Sequence, residues 1–298
     1  MTRLETPARR VRSTRVRFAR WWGDLGWRYA VGLACIAFGL FPVLYVLSAS
    51  VNPVGSVAST GLLPGSVTLD HYTTLIAGGD YPFLTWYANT GIVCIAVSFG
   101  QVGCSTLAAY AFSRFRFAGR RGGLLAVLLI QMFPQFLSAI ALYTMLSSLG
   151  DAVPAIGLDT IGGYCLVLMG GALGNVWLIK GFLDSVPKEI DEAARIDGAG
   201  HFAIFWRLIL PLIRPVLAVT FLLSFVHMIG EYMLASVFLT SDASKTLAVG
   251  LYGIISGDQS NNLGLFAAGS VLIAAPAVAL FLYLQRFVTA GLSAGSVK

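Results

Sequence analysis

The sequence predicts an all-α membrane protein with six transmembrane helices. Of its 298 residues, 57% are hydrophobic and 11% are charged, and the mean hydropathy is +0.78. Soluble domains carry about 25% charged residues, so most of this chain is suited to lipid rather than to water. Six largely uncharged runs approach or exceed the roughly 20 helical residues that cross a bilayer. These predicted spans are residues 29–50, 86–113, 122–148, 162–179, 212–239 and 263–285.

The distribution of basic residues supports the count of six. Eight of the 20 Lys and Arg residues precede span one, four lie between spans two and three, five lie around the loop between spans four and five, and two follow span six. Only Lys245 is left for the other three loops. Because cytoplasmic flanks retain basic residues, both termini are predicted to be cytoplasmic. The chain then divides into an Arg-rich tail (1–28), one membrane domain (29–290) and a C-terminal tail (291–298).

Span one is predicted to remain in place as an anchor. Its apolar run is about 22 residues, longer than the roughly 7–15 residues of a signal-peptide core. Topology and anionic lipid headgroups explain the Arg residues before it, so no nucleic-acid partner is predicted. The four cysteines lack the close spacing of metal ligands and all fall inside spans, so neither a disulfide framework nor a metal site is predicted.

Spans three and four carry polar or small residues at helical spacing. Gln131 and Gln135 lie four residues apart on either side of Pro134, which predicts a polar face at a kink. That kink is either a gating point or a place where a neighbouring side chain satisfies the carbonyl freed by the proline. In span four, two pairs of the small-xxx-small type predict close packing with another helix, Gly170 with Gly174 and Gly171 with Asn175.

A charged, helix-forming segment, residues 186–211, separates spans four and five and is called the charged loop below. Ser185 followed by Pro187 predicts the start of a helix, and Gly198 predicts its end. A helix of roughly ten to twelve residues is marginal alone in water and needs a surface to pack on. A second helical segment then leads through Pro211 into span five, which makes a bent lever.

The predicted helix has one mostly apolar face and one charged face. Residues at i, i+3, i+4 and i+7 spacing form the first face. They are Ile190, Ala193, Ala194 and Asp197. The small alanine side chains allow a neighbour to approach closely. Helix chemistry alone leaves two readings open, which are a docking surface for a partner protein and an amphipathic helix that rests on lipid headgroups.

The order of residues in the charged loop favours the first reading. Glu192-Ala193-Ala194, three residues, Gly198, and then the tetrapeptide LILP at 208–211 resemble the EAA loop of ABC importer permeases. Leu208 stands where that family usually has Ile. The Asp-Gly-Ala sequence at 197–199 fits the sugar-importer branch. From about Phe41 onward the chain resembles MalG-type permeases of maltose and maltodextrin importers, including QMFPQFLSAIALY at 131–143, LAVGLY at 247–252 and GLSAGSVK at 291–298.

The resemblance implies a type I ABC importer transmembrane domain in the inner membrane. It also implies a second, MalF-like permease, two copies of a cytosolic ATPase, an extracytoplasmic sugar-binding protein and a maltose- or maltodextrin-like substrate. The residues that would form the joint with the ATPase are Glu192, Ala193, Ala194, Asp197 and Gly198. The sequence has no G-x-x-x-x-G-K-[ST] phosphate-binding loop, so ATP hydrolysis is assigned to the separate subunit. No catalytic residue, metal or cofactor is predicted for this chain.

Span five contains the groups most relevant to a sugar path. Ser224, His227 and Glu231 are spaced by three and four, so they are predicted to share one inward helix face. They form part of the path or its outer gate, or else His227 and Glu231 are a hydrogen-bonded pair at the interface with the second permease. Gln131 and Gln135 are further candidates for the path.

The loop between spans five and six is the candidate contact for the binding protein, although a solvated connector is an equal alternative. The residues concerned are Gly257, Asp258, Gln259, Ser260 and Asn261. Three other functions are alternatives. The first is the same machinery with another sugar such as trehalose. An ion-coupled secondary transporter would use His227 and Glu231 as a proton relay, but it needs no docking loop and usually has duplicated halves. An intramembrane enzyme lacks a second carboxylate beside Glu231.

Overall fold

The structure is a computed structural model that describes residues 22–53, 65–257 and 262–293, and every regular element within these ranges is helical. The predicted all-α fold is therefore confirmed. The helices are α1 (Trp27–Val51), α2 (Asp70–Ala77), α3 (Phe83–Arg114), α4 (Arg120–Gln131), α5 (Ala139–Ala152), α6 (Ile161–Met169), α7 (Val176–Ser185), α8 (Glu189–Ile196), α9 (His201–Leu212), α10 (Arg214–Ile229), α11 (Met233–Phe238), α12 (Leu247–Gly257) and α13 (Leu263–Ser293). Shorter elements are the 3₁₀ turns Gln135–Ser138, Pro154–Ile156 and Gly170–Leu173, and the π-helical stretches Trp22–Gly26 and Ile204–Ile209.

Several predicted spans are broken rather than continuous. Within the described residues, α1, α3 and α13 are long and apolar enough to cross a bilayer, and five spans result if the bent pairs α6–α7 and α9–α10 each count as one. The bends are 43° and 75°. Span three divides into α4 and α5, and span five is interrupted between α10 and α11. The count of six and the boundaries of the membrane domain stay predictions.

Helix α3 is the central element of the bundle. It runs unbroken for 32 residues and packs against α6, α7, α10 and α12. At 1.5 Å per residue it is about 48 Å long, which exceeds the roughly 30 Å of bilayer hydrocarbon. Buried polar residues occur along its whole length, from Asn89 and Thr90 through Gln101 to Ser113. Several of these side chains bind the ends of neighbouring helices or the segments between them.

Helix α1, in contrast, is peripheral. It packs chiefly along α13, and most of its length is exposed. Leu33, Ile36 and Phe38 are 67%, 57% and 85% exposed. Its apolar surface therefore faces outward from the bundle.

The kink predicted at Pro134 is a full break between α4 and α5. Pro134 has no N–H for the Ile130 carbonyl, and the amide of Phe133 donates to that carbonyl instead, at 3.1 Å. Gln131 Nε2 donates to the Leu173 carbonyl at 3.0 Å. The suggestion that a side chain satisfies the freed carbonyl is therefore wrong, because a backbone amide does so. The side chain of Gln135 lies outside the described part of the structure.

The break between α6 and α7 is bonded to α3. Gln101 Nε2 donates to the Leu168 carbonyl at 2.9 Å, and Ser105 Oγ donates to the Ala172 carbonyl. A Cβ at Gly170 would meet nothing within 4 Å, and one at Gly174 would meet only its own turn. Within the described chain no helix packs closely at these two glycines, so the predicted packing stays a prediction. The chain leaves the helical path here, so the glycines face open space.

The N-terminal end of α3 holds the segment that precedes α12. Trp86, Asn89 and Thr90 make hydrogen bonds of 2.8–3.0 Å to the backbone of residues 242–247. A Cβ at Gly250 would collide with the Trp86 ring, so glycine allows α12 to lie against α3. This segment is therefore fixed in position at the end of the molecule opposite the charged loop.

Asp159 binds the same segment from the turn before α6. Its φ of +59° places it in the left-handed region. Its Oδ1 accepts hydrogen bonds from the amides of Thr240 and Ser241, at 2.7 and 3.0 Å, and from the Ser244 hydroxyl. Burial acts to raise the pKa of Asp159, but these hydrogen bonds outweigh it and lower the pKa to about 2. The carboxylate therefore remains ionised at neutral pH.

We expect Asp159→Asn to loosen residues 240–246. Asn tolerates the left-handed backbone, so the main change is a charged acceptor replaced by a neutral one, worth about 1 kcal/mol. Hydrogen exchange measured by mass spectrometry should show faster exchange in this segment. Since the folded pKa lies below the ordinary 3.8, the difference should be complete above about pH 4 and should be lost as the pH falls through about 2.

Asp242→Asn is the matched control, because that side chain is 67% exposed and forms a local ion pair with Lys245. Equal exchange in the two variants would contradict the role assigned to Asp159.

Candidate functional site

The helix predicted in the charged loop is α8, but it begins later than predicted. Ser185 is the last residue of α7, and its hydroxyl donates to the Phe182 carbonyl at 2.6 Å. Val186 is extended, and α8 starts at Glu189 with Lys188 as an N-cap that makes no side-chain hydrogen bond. The Ser185 start signal is therefore wrong, because its hydroxyl is used by the preceding helix. At eight residues, α8 is also shorter than predicted.

The predicted stop at Gly198 is confirmed. Gly198 has a φ of +84°. The amide of Ala199 donates to the Ala194 carbonyl at 2.9 Å, and the amide of Gly198 donates to the Arg195 carbonyl at 3.0 Å. These two bonds form a Schellman motif, which requires a left-handed residue at the glycine position.

The two faces of α8 differ from the prediction. Glu192, Ala193 and Asp197 are exposed, whereas Asp191 and Ala194 are buried. The predicted face that grouped Ala193 and Asp197 with Ala194 is therefore wrong. Asp191 was expected on the exposed charged face, but it is buried because a cation lies opposite it.

That cation is Arg114, the last residue of α3. Its Nε lies 2.8 Å from Asp191 Oδ2, and the two side chains are only 3% and 6% exposed. They meet as a close ion pair rather than as a well-aligned hydrogen bond. Arg114 Nη2 also donates to the Val186 carbonyl at 2.9 Å. Topology alone accounts for this arginine in the sequence, and no sequence pattern predicted its partner.

Ala194 packs inside the protein rather than facing a partner. It belongs to an apolar cluster with Ala109 and Tyr110 of α3 and with Ile204 and Phe205 of α9. Its small side chain brings α8 close to α3. The predicted direct contact of Ala194 with a docked protein is therefore wrong, because Ala194 packs inside this chain. The other four residues predicted to form the joint are exposed.

The segments on either side of α8 also contact the end of α3. Ser113 Oγ donates to Asp184 Oδ1 at 2.6 Å, and the Phe115 and His201 rings meet edge-on at 5.1 Å. Burial acts to raise the pKa of Asp184, but hydrogen bonds from Lys180 and Ser113 outweigh it and lower the pKa. Residues 113–115 at the end of α3 therefore contact the chain before, at and after α8.

Exposed apolar side chains adjoin the exposed acidic face in sequence. Ile196 is 88% exposed, Phe202 is 78% exposed and Trp206 is 59% exposed. The rings of Phe202 and Trp206 stack at 6.2 Å with an angle of 9° between their planes. Large apolar groups exposed together on one loop are typical of an interaction surface. These three side chains were not among the residues predicted from the sequence to form the joint.

Three of the predicted path residues line one cavity, which we call the polar cavity. It has a volume of about 530 Å³, and Ser224, His227 and Glu231 contribute to its wall. Gln101 and Asn175, which the sequence analysis did not assign to the path, line it as well. Asn175 Nδ2 donates to Ser224 Oγ at 3.1 Å. The cavity thus presents amide, hydroxyl, imidazole and carboxylate groups.

Glu231 is not on the same helix face as His227. Helix α10 ends at Ile229, and the Glu231 carboxylate accepts hydrogen bonds from the amides of Leu234 and Ala235 at 2.8 and 2.9 Å. The carboxylate also accepts a hydrogen bond from the Tyr164 hydroxyl. Glu231 therefore caps α11. No hydrogen bond joins it to His227 within the described ranges, so the predicted His–Glu pair is wrong.

Gln131 lines a second, neighbouring cavity of about 880 Å³. Gly171, Gly174 and Leu234 line both cavities. The break between α6 and α7 thus forms their common wall. Gln131 and the span-five residues are therefore near one another but not in one pocket.

The last group of candidates is the predicted contact with the binding protein, residues 257–261. Gly257 is the last residue of α12, and residues 258–261 lie outside the described residues. Contact with a binding protein there stays a prediction. Among the described residues, no group of three His, Cys, Asp or Glu side chains is arranged to hold a metal ion.

Comparisons with known proteins agree with this architecture. The family model for "Binding-protein-dependent transport system inner membrane component" matches residues 101–293. The maltodextrin transport system permease protein MdxG of Bacillus subtilis is 41% identical over 260 residues, which is 87% of this chain and 91% of that protein. The maltose/maltodextrin transport system permease protein MalG of Escherichia coli is 39% identical over 89% of this chain and 93% of that protein.

A solved structure also matches the fold over nearly its whole length. It is a chain of a bacterial ABC transporter involved in the import of the acidic polysaccharide alginate, with a TM-score of 0.71 and 25% identity. The alignment covers 94% of this chain and 99% of the other. The chain therefore belongs to the family of binding-protein-dependent transport system inner membrane components, as a MalG-type sugar permease of an ABC importer.

Proposed function

We propose that this permease imports maltose- or maltodextrin-like oligosaccharides and receives the energy of ATP hydrolysis through α8. The observation that carries the proposal is the arrangement of α8. Its inner face is fixed on α3 by a buried ion pair and by Ala194, and its outer face presents Glu192, Ala193 and Asp197. A short helix fixed to the bundle and exposed on one side is suited to dock in a cleft of another protein.

The charges on α8 argue against a helix that rests on lipid. Such a helix buries an apolar face among the headgroups and carries basic residues. Ala194 of α8 already packs on α3, and Ile196 is the large apolar side chain that the helix leaves exposed. The exposed charges of α8 and its C-cap are Glu189, Glu192 and Asp197 against Arg195, so the surface is acidic overall and anionic headgroups repel it. A protein cleft with basic groups is the better partner.

The proposed assembly contains this chain, a second MalF-like permease, two copies of a cytosolic ABC ATPase and an extracytoplasmic sugar-binding protein. Both termini and the charged loop face the cytoplasm in this arrangement, as the distribution of basic residues predicts. Residues 257–261 would meet the binding protein on the other side. The segment before them is held rigidly by α3 and Asp159, which favours a fixed docking surface there.

The polar cavity is the proposed part of the sugar path in this subunit. Sugar hydroxyls both donate and accept hydrogen bonds, and Gln101, Asn175, Ser224 and His227 offer groups of both kinds. His227 is exposed and makes no hydrogen bond within the described residues, so its ring is available to a ligand. Glu231 shapes the wall by capping α11.

An ion-coupled secondary transporter is less well supported. Its proton relay would run between His227 and Glu231, but the Glu231 carboxylate is bonded to α11 and Tyr164 instead. The cargo is the more open choice. Trehalose or another sugar would use the same machinery, and the structural neighbour from an alginate importer illustrates that this fold serves different saccharides.

Purification of the tagged chain from mild detergent tests the assembly. We expect an ABC ATPase and a second permease to co-purify, and the reconstituted complex with its binding protein to take up radiolabelled maltose and maltodextrins in preference to trehalose. Uptake of trehalose alone would contradict the proposed substrate but not the proposed assembly. Purification without any ATPase would contradict the proposed function.

We expect Glu192→Ala to lower sugar-stimulated ATP hydrolysis by at least about tenfold while the protein stays inserted. Loss of one partner from a charged contact at an interface costs more than about 1.4 kcal/mol, which is a factor of ten. Glu192→Gln keeps the size of the side chain and serves as the comparison for charge. Normal stimulation of the Glu192→Ala complex would contradict docking through this face.

Substitutions of Gly198 should act through backbone conformation alone. A Cβ at this position meets nothing within 4 Å, but its φ of +84° costs an ordinary residue about 1–2 kcal/mol and Asn less. Retention of the ATPase should therefore decrease in the order glycine, Gly198→Asn, Gly198→Ala, Gly198→Val. The measurement is the amount of ATPase recovered with the tagged chain. Equal losses with Asn and Ala would contradict the conformational explanation.

A further inference from the structure

We propose that Arg114 and Asp191 are the positioning residues that pass the movement of α8 to α3. This pair is called the clasp below. The inference rests on the proposed function, because it concerns the route by which ATPase movement enters the membrane domain. Neither residue belongs to the predicted joint, and neither is exposed to a docked protein.

The clasp is the one ion pair between α8 and α3 among the described residues. The buried residues of that helix are Asp191 and Ala194, and Ala194 offers only a methyl group. Burying an ion pair gains little stability over apolar packing, but removing one partner leaves a buried charge and is strongly unfavourable. The clasp therefore contributes a fixed geometry that resists both pulling and sliding of α8 on α3.

The same turn of α3 binds the chain on both sides of α8. Arg114 holds the Val186 carbonyl, and Ser113 holds Asp184 before the helix. After the helix, the Phe115 and His201 rings meet edge-on, with their centroids 5.1 Å apart. A displacement of the charged loop would therefore strain its contacts with residues 113–115.

The covalent routes out of α8 are less direct. Toward the N-terminus the chain passes through the extended Val186 and then through the 43° bend between α7 and α6. Toward the C-terminus it passes through the π-helical stretch of α9 and the 75° bend before α10. Helix α3 has no such break along its 32 residues. The contact through the clasp is therefore the stiffest described path into the bundle.

Helix α3 carries this path to the opposite end of the molecule. There Trp86, Asn89 and Thr90 bind the backbone of residues 242–247. Between the two ends, Gln101 and Ser105 bind the break that forms the wall of the polar cavity. A movement of α3 would thus reach the cavity wall and the segment before α12 together.

The test uses the complete complex in proteoliposomes with variants of the clasp. Arg114→Gln and Asp191→Asn each leave one buried charge unpaired, and a double variant, Arg114→Asp with Asp191→Arg, reverses the pair. Arg121→Gln is the control, because it removes an exposed basic side chain at the same end of the bundle that forms no ion pair within the described residues. The readouts are sugar transported per ATP hydrolysed and the amount of ATPase that co-purifies.

We expect each single variant to keep the ATPase bound but to lower transport per ATP by about tenfold, within the range that couplings between sites usually span. The reversed pair should recover at least about a third of the wild-type ratio, and Arg121→Gln should match wild type. Wild-type ratios in both single variants would overturn the proposal. A reversed pair no better than the single variants would overturn the assignment to the pair of charges.

A second measurement tests the clasp without the other subunits. Hydrogen exchange of the detergent-solubilised chain should become faster at residues 186–199 in Asp191→Asn, with the α3 and α10 segments unchanged. General loss of protection, or no change at 186–199, would overturn the positioning role. Failure of the wild-type chain to bind an ATPase would instead reject the proposed function, and this exchange result would be unaffected.

Discussion

The structure depends on one constraint, which is that backbone groups freed by broken helices need partners where water is scarce. A bilayer interior offers none, so unsatisfied carbonyls there are strongly unfavourable. Helix α3 meets this need with Gln101 and Ser105 at the break between α6 and α7. Gln131 of α4 adds a third bond at the same break. An unbroken polar-faced helix therefore allows its neighbours to be irregular.

The irregular neighbours are what give the molecule a site. Where α6 ends, Gly171, Gly174 and Asn175 leave the helical path and open the polar cavity. Where α10 ends, Glu231 turns away to cap α11 and leaves His227 uncovered. A bundle of straight helices with the same side chains would close these spaces. The polar lining that suits a sugar is thus a product of backbone breaks as much as of residue type.

The sequence was informative wherever a local rule decides the structure. The proline break at Pro134, the left-handed Gly198 and the exposure of Glu192 follow from chemistry within a few residues. Prediction failed where a distant partner decides. Asp191 is buried because Arg114, 77 positions earlier, lies opposite it, and no periodicity within α8 reveals that. The prediction that α8 starts at Ser185 was wrong for a local reason. A serine hydroxyl can bond either at the end of one helix or at the start of the next, and here it bonds within α7.

The peripheral position of α1 has a consequence for the whole assembly. Its 25 residues are about 38 Å long, more than the hydrocarbon layer needs, and it packs chiefly on α13. Hydrophobic mismatch is relieved by tilting, and a helix with one main neighbour tilts at little cost. The tilt of α1 should therefore change with membrane thickness, whereas the packing of the central helices should depend little on lipid composition.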